Sequence, residues 1–121
     1  MSKKILMVEN NEKNRVLRRD VLKYYGYEVI EAVNGEEGVR VAKEEMPDLI
    51  LMDIQMPVMD GFTAIQALKE DPATKDIKII ALTSFAMKGD KEKIMNAGFD
   101  HYIAKPVDTR ELPGIIQGIM H

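Results

Sequence analysis

The chain has 121 residues, 45% hydrophobic and 31% charged, a balance that excludes a disordered chain and predicts a single domain, 1–121, with its own core. A net charge of −3 leaves no basic footprint for a nucleic acid or an anionic membrane, so neither is expected as a partner. Without cysteine there is no disulfide, thiolate nucleophile or cysteine-ligated metal, and the fold must rest on its core.

No apolar run approaches the roughly 18 residues of a membrane span. The opening MSKKILMV is also short of the roughly 7 to 15 apolar residues of a secretory signal. A cytoplasmic protein is the expectation.

Apolar strands and amphipathic helices alternate. KILMV, 4–8, predicts a strand. A helix follows over about 12–25, with Leu17, Val21 and Tyr24 at helical spacing and Gly26 placed to end it. EVIEA, 28–32, is a second strand. Asn34 with Glu37 three residues on resembles a capping box, opening a helix with Val39, Ala42 and Met46 on one face until Pro47. LILM, 49–52, is the third strand, and it ends in Asp53. Asp60 caps a helix holding Phe62, Ile65 and Leu68, which stops before Asp71 and Pro72. IKIIAL, 77–82, is the fourth strand, followed by a polar helix from about Met87 to Ala97 that ends at Gly98. HYIA, 101–104, is the fifth strand. A turn over 109–112 then leads into a helix with Pro113 at its first position and Ile115, Ile116 and Ile119 facing inward.

Five strands alternating with five helices predict an α/β fold, a doubly wound parallel sheet covered on both faces. Ligands of such sheets bind beyond the carboxyl ends of the strands, where the strand order reverses. The first strand ends in Glu9 and Asn10, the third in Asp53, the fourth in Thr83 and Ser84, the fifth in Lys105 and Pro106. With the common order 2-1-3-4-5, Glu9, Asn10 and Asp53 converge, with Thr83 and Lys105 to one side. Carboxylate and amide oxygens suit a hard cation such as Mg2+. A lysine and a threonine hydroxyl beside them suit an anion with several oxygens. Together they point to phosphoryl transfer, with a carboxylate able to serve as nucleophile.

These motifs, ILMVEN, LILMDIQMPVMDG, ALTS and YIAKP, resemble those of the receiver domain of two-component response regulators, and the likeness runs along essentially the whole chain. The resemblance implies a flavodoxin-like fold in which Asp53 accepts a phosphoryl group from a histidine kinase or phosphotransfer protein. It implies Mg2+ (or Mn2+) held by Asp53, an acid at the first strand end and the backbone carbonyl of Gln55. Thr83 would turn toward the phosphoryl oxygens, Lys105 would pair with them, Pro106 would follow a cis peptide bond, and Tyr102 would turn inward on activation. That movement would reshape the face of the fourth helix, fifth strand and fifth helix for a downstream protein. With no output domain after His121, the expectation is a stand-alone receiver similar to DivK-like regulators, not an enzyme with a separate substrate.

Asn10 departs from the pattern, because the family usually has two acids where this chain has Glu9 and Asn10. Asn10 still offers a carbonyl oxygen, but the lost charge is expected to weaken Mg2+ by ~1–2 kcal/mol. It also keeps a second reading open, a receiver-like interaction module that no longer depends on phosphorylation. Ser84, where alanine is frequent, would slightly crowd phosphoryl access. A small phosphohydrolase ranks last, since Gln55 stands where such enzymes carry a second aspartate. His101 and His121 lack metal-ligand spacing and read as surface residues, and the nine methionines as adaptable core. The polar helix with Lys88, Lys91 and Lys93 reads as loosely packed and able to shift.

Overall fold

Ten elements alternate along the chain in the computed structural model, which describes residues 3–55, 59–84 and 88–120. They are β1 (Lys4–Val8), α1 (Glu12–Tyr24), β2 (Glu28–Ala32), α2 (Gly35–Glu45), β3 (Leu49–Asp53), α3 (Gly61–Glu70), β4 (Lys78–Thr83), α4 (Lys88–Asn96), β5 (His101–Ala104) and α5 (Leu112–Met120). The strands form one sheet in the order β2-β1-β3-β4-β5, with parallel pairing throughout. Met56 to Val58 of the third-strand motif, the expected helix start at Met87 and His121 lie outside the described residues.

Successive strand side chains point to opposite faces, so the near-continuous apolar strands feed two cores. On one side Leu49 and Leu51 join Ile5, Met7 and Ile80 beneath Leu22 of α1 and Leu112 and Ile116 of α5. On the other, Ile50 and Met52 join Leu6, Val8, Ile79 and Ala81 beneath α2, α3 and Ile94 of α4. All five residues of β3 are buried, so its terminal carboxylate is carried on the most enclosed strand of the sheet.

Side-chain caps fix three helix starts. Asn11 accepts from the Asn14 amide (3.0 Å), Asn34 from the Glu37 amide (2.8 Å) and Asp60 from the Thr63 amide (2.9 Å). Each satisfies a backbone donor with no partner inside the helix. Gly26 (φ 93°) and Gly98 (φ 110°) follow α1 and α4 in the left-handed region that glycine adopts at no steric cost.

Several expectations are corrected. In α1 the inward row is Arg18 and Leu22, while Leu17 and Tyr24 are 55% and 84% exposed. The helix turns a charged residue inward because Arg18 has a carboxylate to pair with at the end of β1. Met46 is exposed at the end of α2 with φ 47°, because Pro47 disfavours helical backbone in the residue before it. β4 runs one residue later than expected. Asp100 takes the Ile79 amide at one end, and pairing with β5 carries the ladder to Thr83 at the other. α5 starts at Leu112, so Pro113 is its second residue, still within the first turn where the missing N–H costs no helical bond. Ile116 is buried there, and Ile115 and Ile119 are half-buried. Of the methionines, Met7 and Met52 are core, whereas Met46 and Met95 are exposed.

Candidate functional site

Ladder bonds continue one residue past three strands and hold the site in place. The Glu9 amide donates to Ala32 O (3.0 Å), the Ile54 amide to Leu82 O (3.0 Å) and the Lys105 amide to Thr83 O (2.8 Å). The register pairs Val8 with Met52, Asp53 with Leu82 and Thr83 with Ala104, which sets Glu9 beside Asp53 and Lys105 just beyond Thr83. Strand alternation then sorts the side chains. Glu9, Asp53 and Lys105 continue the rows of Met7, Leu51 and Ile103, on the side of α1 and α5. Thr83 and Tyr102 belong with Ala81 on the side of α4. Glu9, Asp53 and Lys105 thus continue one face of the sheet edge, and Thr83 and Tyr102 the other.

Glu9 and Asp53 are each 2% exposed and Thr83 is fully buried. Lys105 Nζ reaches Asp53 Oδ2 at 2.5 Å, and the Gln55 amide donates to Asp53 Oδ1 at 2.9 Å. The Gln55 side chain spans to β4, where its Nε2 donates to Thr83 Oγ1 (3.3 Å) and its Oε1 accepts from the Ser84 amide (3.4 Å). Burial raises the Glu9 carboxyl above the ordinary carboxylate range. A hydrogen bond with Asp53 and that residue's charge push the same way, while Asn14 and Arg18 pull it down. Two carboxylates in contact favour a bound cation.

The structure brings Glu9, Asp53, Gln55, Thr83 and Lys105 together. Asn10, in contrast, is exposed, and the helix cap is its neighbour Asn11. Ser84 is exposed at the rim. The Lys105–Pro106 peptide bond is cis. Tyr102 is half-buried, with Lys91 Nζ of α4 5.5 Å from its ring centroid and the His101 ring stacked at 5.9 Å. A cavity of about 180 Å³ lies beside Thr83 and beneath α4, lined by Ile54, Phe62, Asp90, Lys93 and Ile94. A second, of about 400 Å³, opens between α1 and the segment after β5, lined by Asn14, Arg18, Ser84, Lys105 and Pro106 among others.

Residues 5–117 match the response regulator receiver domain family. The chain belongs to that family. This receiver domain is 47% identical over 109 residues, 90% of its length and 89% of the relative's, to the polar-differentiation response regulator DivK of Brucella anthropi. The DivK of Brucella ovis is 46% identical over the same span. Its fold is similar to that of the receiver domain of a sensor histidine kinase from Pseudomonas aeruginosa, at 36% identity and a TM-score of 0.90, covering 99% of this chain and 98% of that one. That structure holds a magnesium ion in its active-site cleft. The chemotaxis response regulator CheY4 of Vibrio cholerae aligns with a TM-score of 0.93 at 28% identity, covering 98% and 99% of the two chains. The chain is therefore a DivK-like response regulator receiver domain of two-component signalling, with the flavodoxin-like strand order of its relatives.

The site also contains contacts that the sequence did not single out. Arg18 Nη1 lies 3.6 Å from Glu9 Oε2, both side chains almost fully enclosed. Asn14 Nδ2 donates to Glu9 Oε1 (3.2 Å), and Arg15 Nη1 donates to the Glu9 carbonyl (2.9 Å). The signal for Arg18 was its spacing of four from Leu22, hidden by the more apolar row beside it. The Gln55 side chain escaped because only its carbonyl entered the family pattern.

The donor set fits a hard divalent cation in kind, with two adjoining carboxylates and a backbone carbonyl nearby. Glu9 Oε2 is buried without a hydrogen-bond partner, and its charged neighbour is Arg18 Nη1 at 3.6 Å. The set is low in charge, since the described residues hold no cluster of three acidic or histidine side chains.

Proposed function

We propose that this receiver domain is a phosphorylation-switched module of a two-component phosphorelay, with Asp53 as phosphoacceptor. The observation that carries the reading is the Asp53 carboxylate, buried at a strand end between the Lys105 ammonium and the Gln55 amide. One oxygen of Asp53 attacks phosphorus, the P–N bond of a phosphohistidine breaks, and the donor imidazole leaves with the bond's electrons and takes up a proton. Lys105 pairs with the phosphoryl oxygens, and the Gln55 amide orients the carboxylate. Mg2+ (or Mn2+), held by Glu9, Asp53 and the Gln55 carbonyl with Asn10 at the edge, supplies charge neutralisation when bound. Thr83, set beside the cavity under α4, turns toward the new oxygens, and Tyr102 follows into the space vacated.

The upstream partner is a histidine kinase or phosphotransfer protein, and the downstream partner is a protein that reads the face of α4, β5 and α5 in the cytoplasm. The acidic balance supports protein partners over a nucleic acid or a membrane, and no described helix is long and apolar enough to cross a membrane. The domain turns over no separate substrate, and its chemistry is its own phosphorylation and dephosphorylation. A second reading, an interaction module free of phosphorylation, draws on the exposure of Asn10 and the absence of a second acid beside Glu9.

Intact mass after incubation with a small phosphodonor, with and without Mg2+, separates the two. Phosphorylation predicts one added phosphoryl group on wild type only with the cation, and none on Asp53→Ala. No adduct under any divalent cation favours the interaction module.

A further inference from the structure

The charged side chains buried among the described residues are Glu9, Arg18 and Asp53, and Arg18 has no part in the mechanism above. Its Nη1 faces Glu9 Oε2 at 3.6 Å, and neither atom has a hydrogen-bond partner. They form an ion pair held just beyond hydrogen-bond length, between buried side chains where charges interact more strongly than in water. The neighbouring Arg15 is engaged otherwise, by the Glu9 carbonyl (2.9 Å) and by Glu31 (3.5 Å). Arg18 is thus the counter-charge of the Glu9 carboxylate, as Lys105 is that of Asp53 (2.5 Å). The four form a row, Arg18, Glu9, Asp53, Lys105, with charges in the order plus, minus, minus, plus. Its sum is zero, and Asn10 adds nothing to it.

We propose that Arg18 is a built-in counter-cation that weakens divalent-cation binding at Glu9 and Asp53, so that tight binding depends on the negative charge a phosphoryl group brings. The inference rests on the metal-site reading given above. A divalent ion entering this pocket meets two carboxylates already balanced by two cations and must displace or repel one of them. A phosphoryl group on Asp53 replaces one negative charge with about two, tipping the same pocket to net negative. Metal affinity and phosphorylation are then coupled through a charge that the protein itself carries. Arg18 touches neither the phosphoryl group nor Asp53 and acts through Glu9, as a positioning and charge-compensating residue.

Calorimetric titration of the full chain with Mg2+ tests this, on wild type, Arg18→Met, Arg18→Gln and Arg18→Lys, each checked for folding by circular dichroism. The two neutral variants should bind Mg2+ about tenfold or more tighter than wild type, and their unfolding temperature should rise further on adding Mg2+. Arg18→Lys, which keeps the charge, should stay near wild type. Beryllofluoride, standing for the phosphoryl group, should tighten Mg2+ binding more in wild type than in the neutral variants. If Arg18→Met does not fold, the comparison of Gln with Lys decides. Equal affinity in wild type and the neutral variants overturns the role of Arg18 and leaves the metal site standing. Tightening in Arg18→Lys as well overturns charge as the cause. No detectable binding by any folded variant, with or without beryllofluoride, overturns the metal site itself.

Discussion

Glu9 sits between an attractive and a repulsive neighbour, and burial decides the outcome. Desolvation and the Asp53 carboxylate on β3 raise its pKa, against Asn14 and the Arg18 guanidinium on α1. A carboxyl that binds its proton more tightly when folded contributes stability at low pH. That contribution is lost as pH rises from the ordinary glutamate value of about 4.3 through the raised folded one. Asp71 and Asp108 work in the opposite sense. The Ala73 amide holds the first below the ordinary range and the Arg110 side chain holds the second, so their contributions are lost as pH falls. Carbon-detected NMR titration of the Glu9 carboxyl should therefore give a midpoint above the glutamate range, with Asp71 and Asp108 below the aspartate range. A Glu9 midpoint at or below the ordinary value would refute the buried carboxylate pair. At this scale the sequence was legible where a residue stands at a strand end, as with Asp53, Thr83 and Lys105. It was not legible for Arg18, whose role depends on a helix phase that only the pairing with Glu9 explains.

Elements pack here through two kinds of glycine. Gly38 of α2 lies over β1, where an added Cβ would come within 2.8 Å of Val8 Cγ2, a branched side chain with little room to yield. Gly38→Ala should cost roughly 1–3 kcal/mol, the usual penalty of overpacking a core. Gly118, exposed in the last turn of α5, has nothing within 4 Å of its would-be Cβ. Gly118→Ala should be neutral to stabilising, by up to about 1 kcal/mol, because alanine relieves glycine's entropy cost in a helix. Urea unfolding of both variants checks the contrast, and a loss at Gly118 as large as that at Gly38 would contradict it. Element type and order followed from apolar runs, caps and prolines, which act locally. Helix faces did not, as Leu17, Tyr24 and Met46 show, because an exposed apolar residue and a core one look alike until a partner surface selects the face.

Across the whole molecule, alternation on the sheet places Glu9, Asp53 and Lys105 on the side of α1 and α5, and Thr83 and Tyr102, the proposed switch, on the side of α4. α4 is the least anchored helix of that side. Ile94 is its one core residue among those described, and the cavity of about 180 Å³ lies between it and Thr83. A helix with so little buried apolar surface opens and shifts at low cost. The Lys91 ammonium near the Tyr102 ring adds a contact worth ~0.5–1 kcal/mol at an exposed site, small enough to be exchanged when the ring turns. On the proposed function, phosphorylation of Asp53 would reach the face of α4 through Thr83 and Tyr102 without any change in fold. The most direct measurement is the amide NMR spectrum of the Mg2+-loaded protein with and without beryllofluoride, on wild type and Asp53→Ala. The account predicts shifts at Thr83, at Tyr102 and along α4 in wild type, and none in the variant. Shifts confined to the surroundings of Glu9, Asp53 and Gln55, with α4 and Tyr102 unmoved, would contradict it.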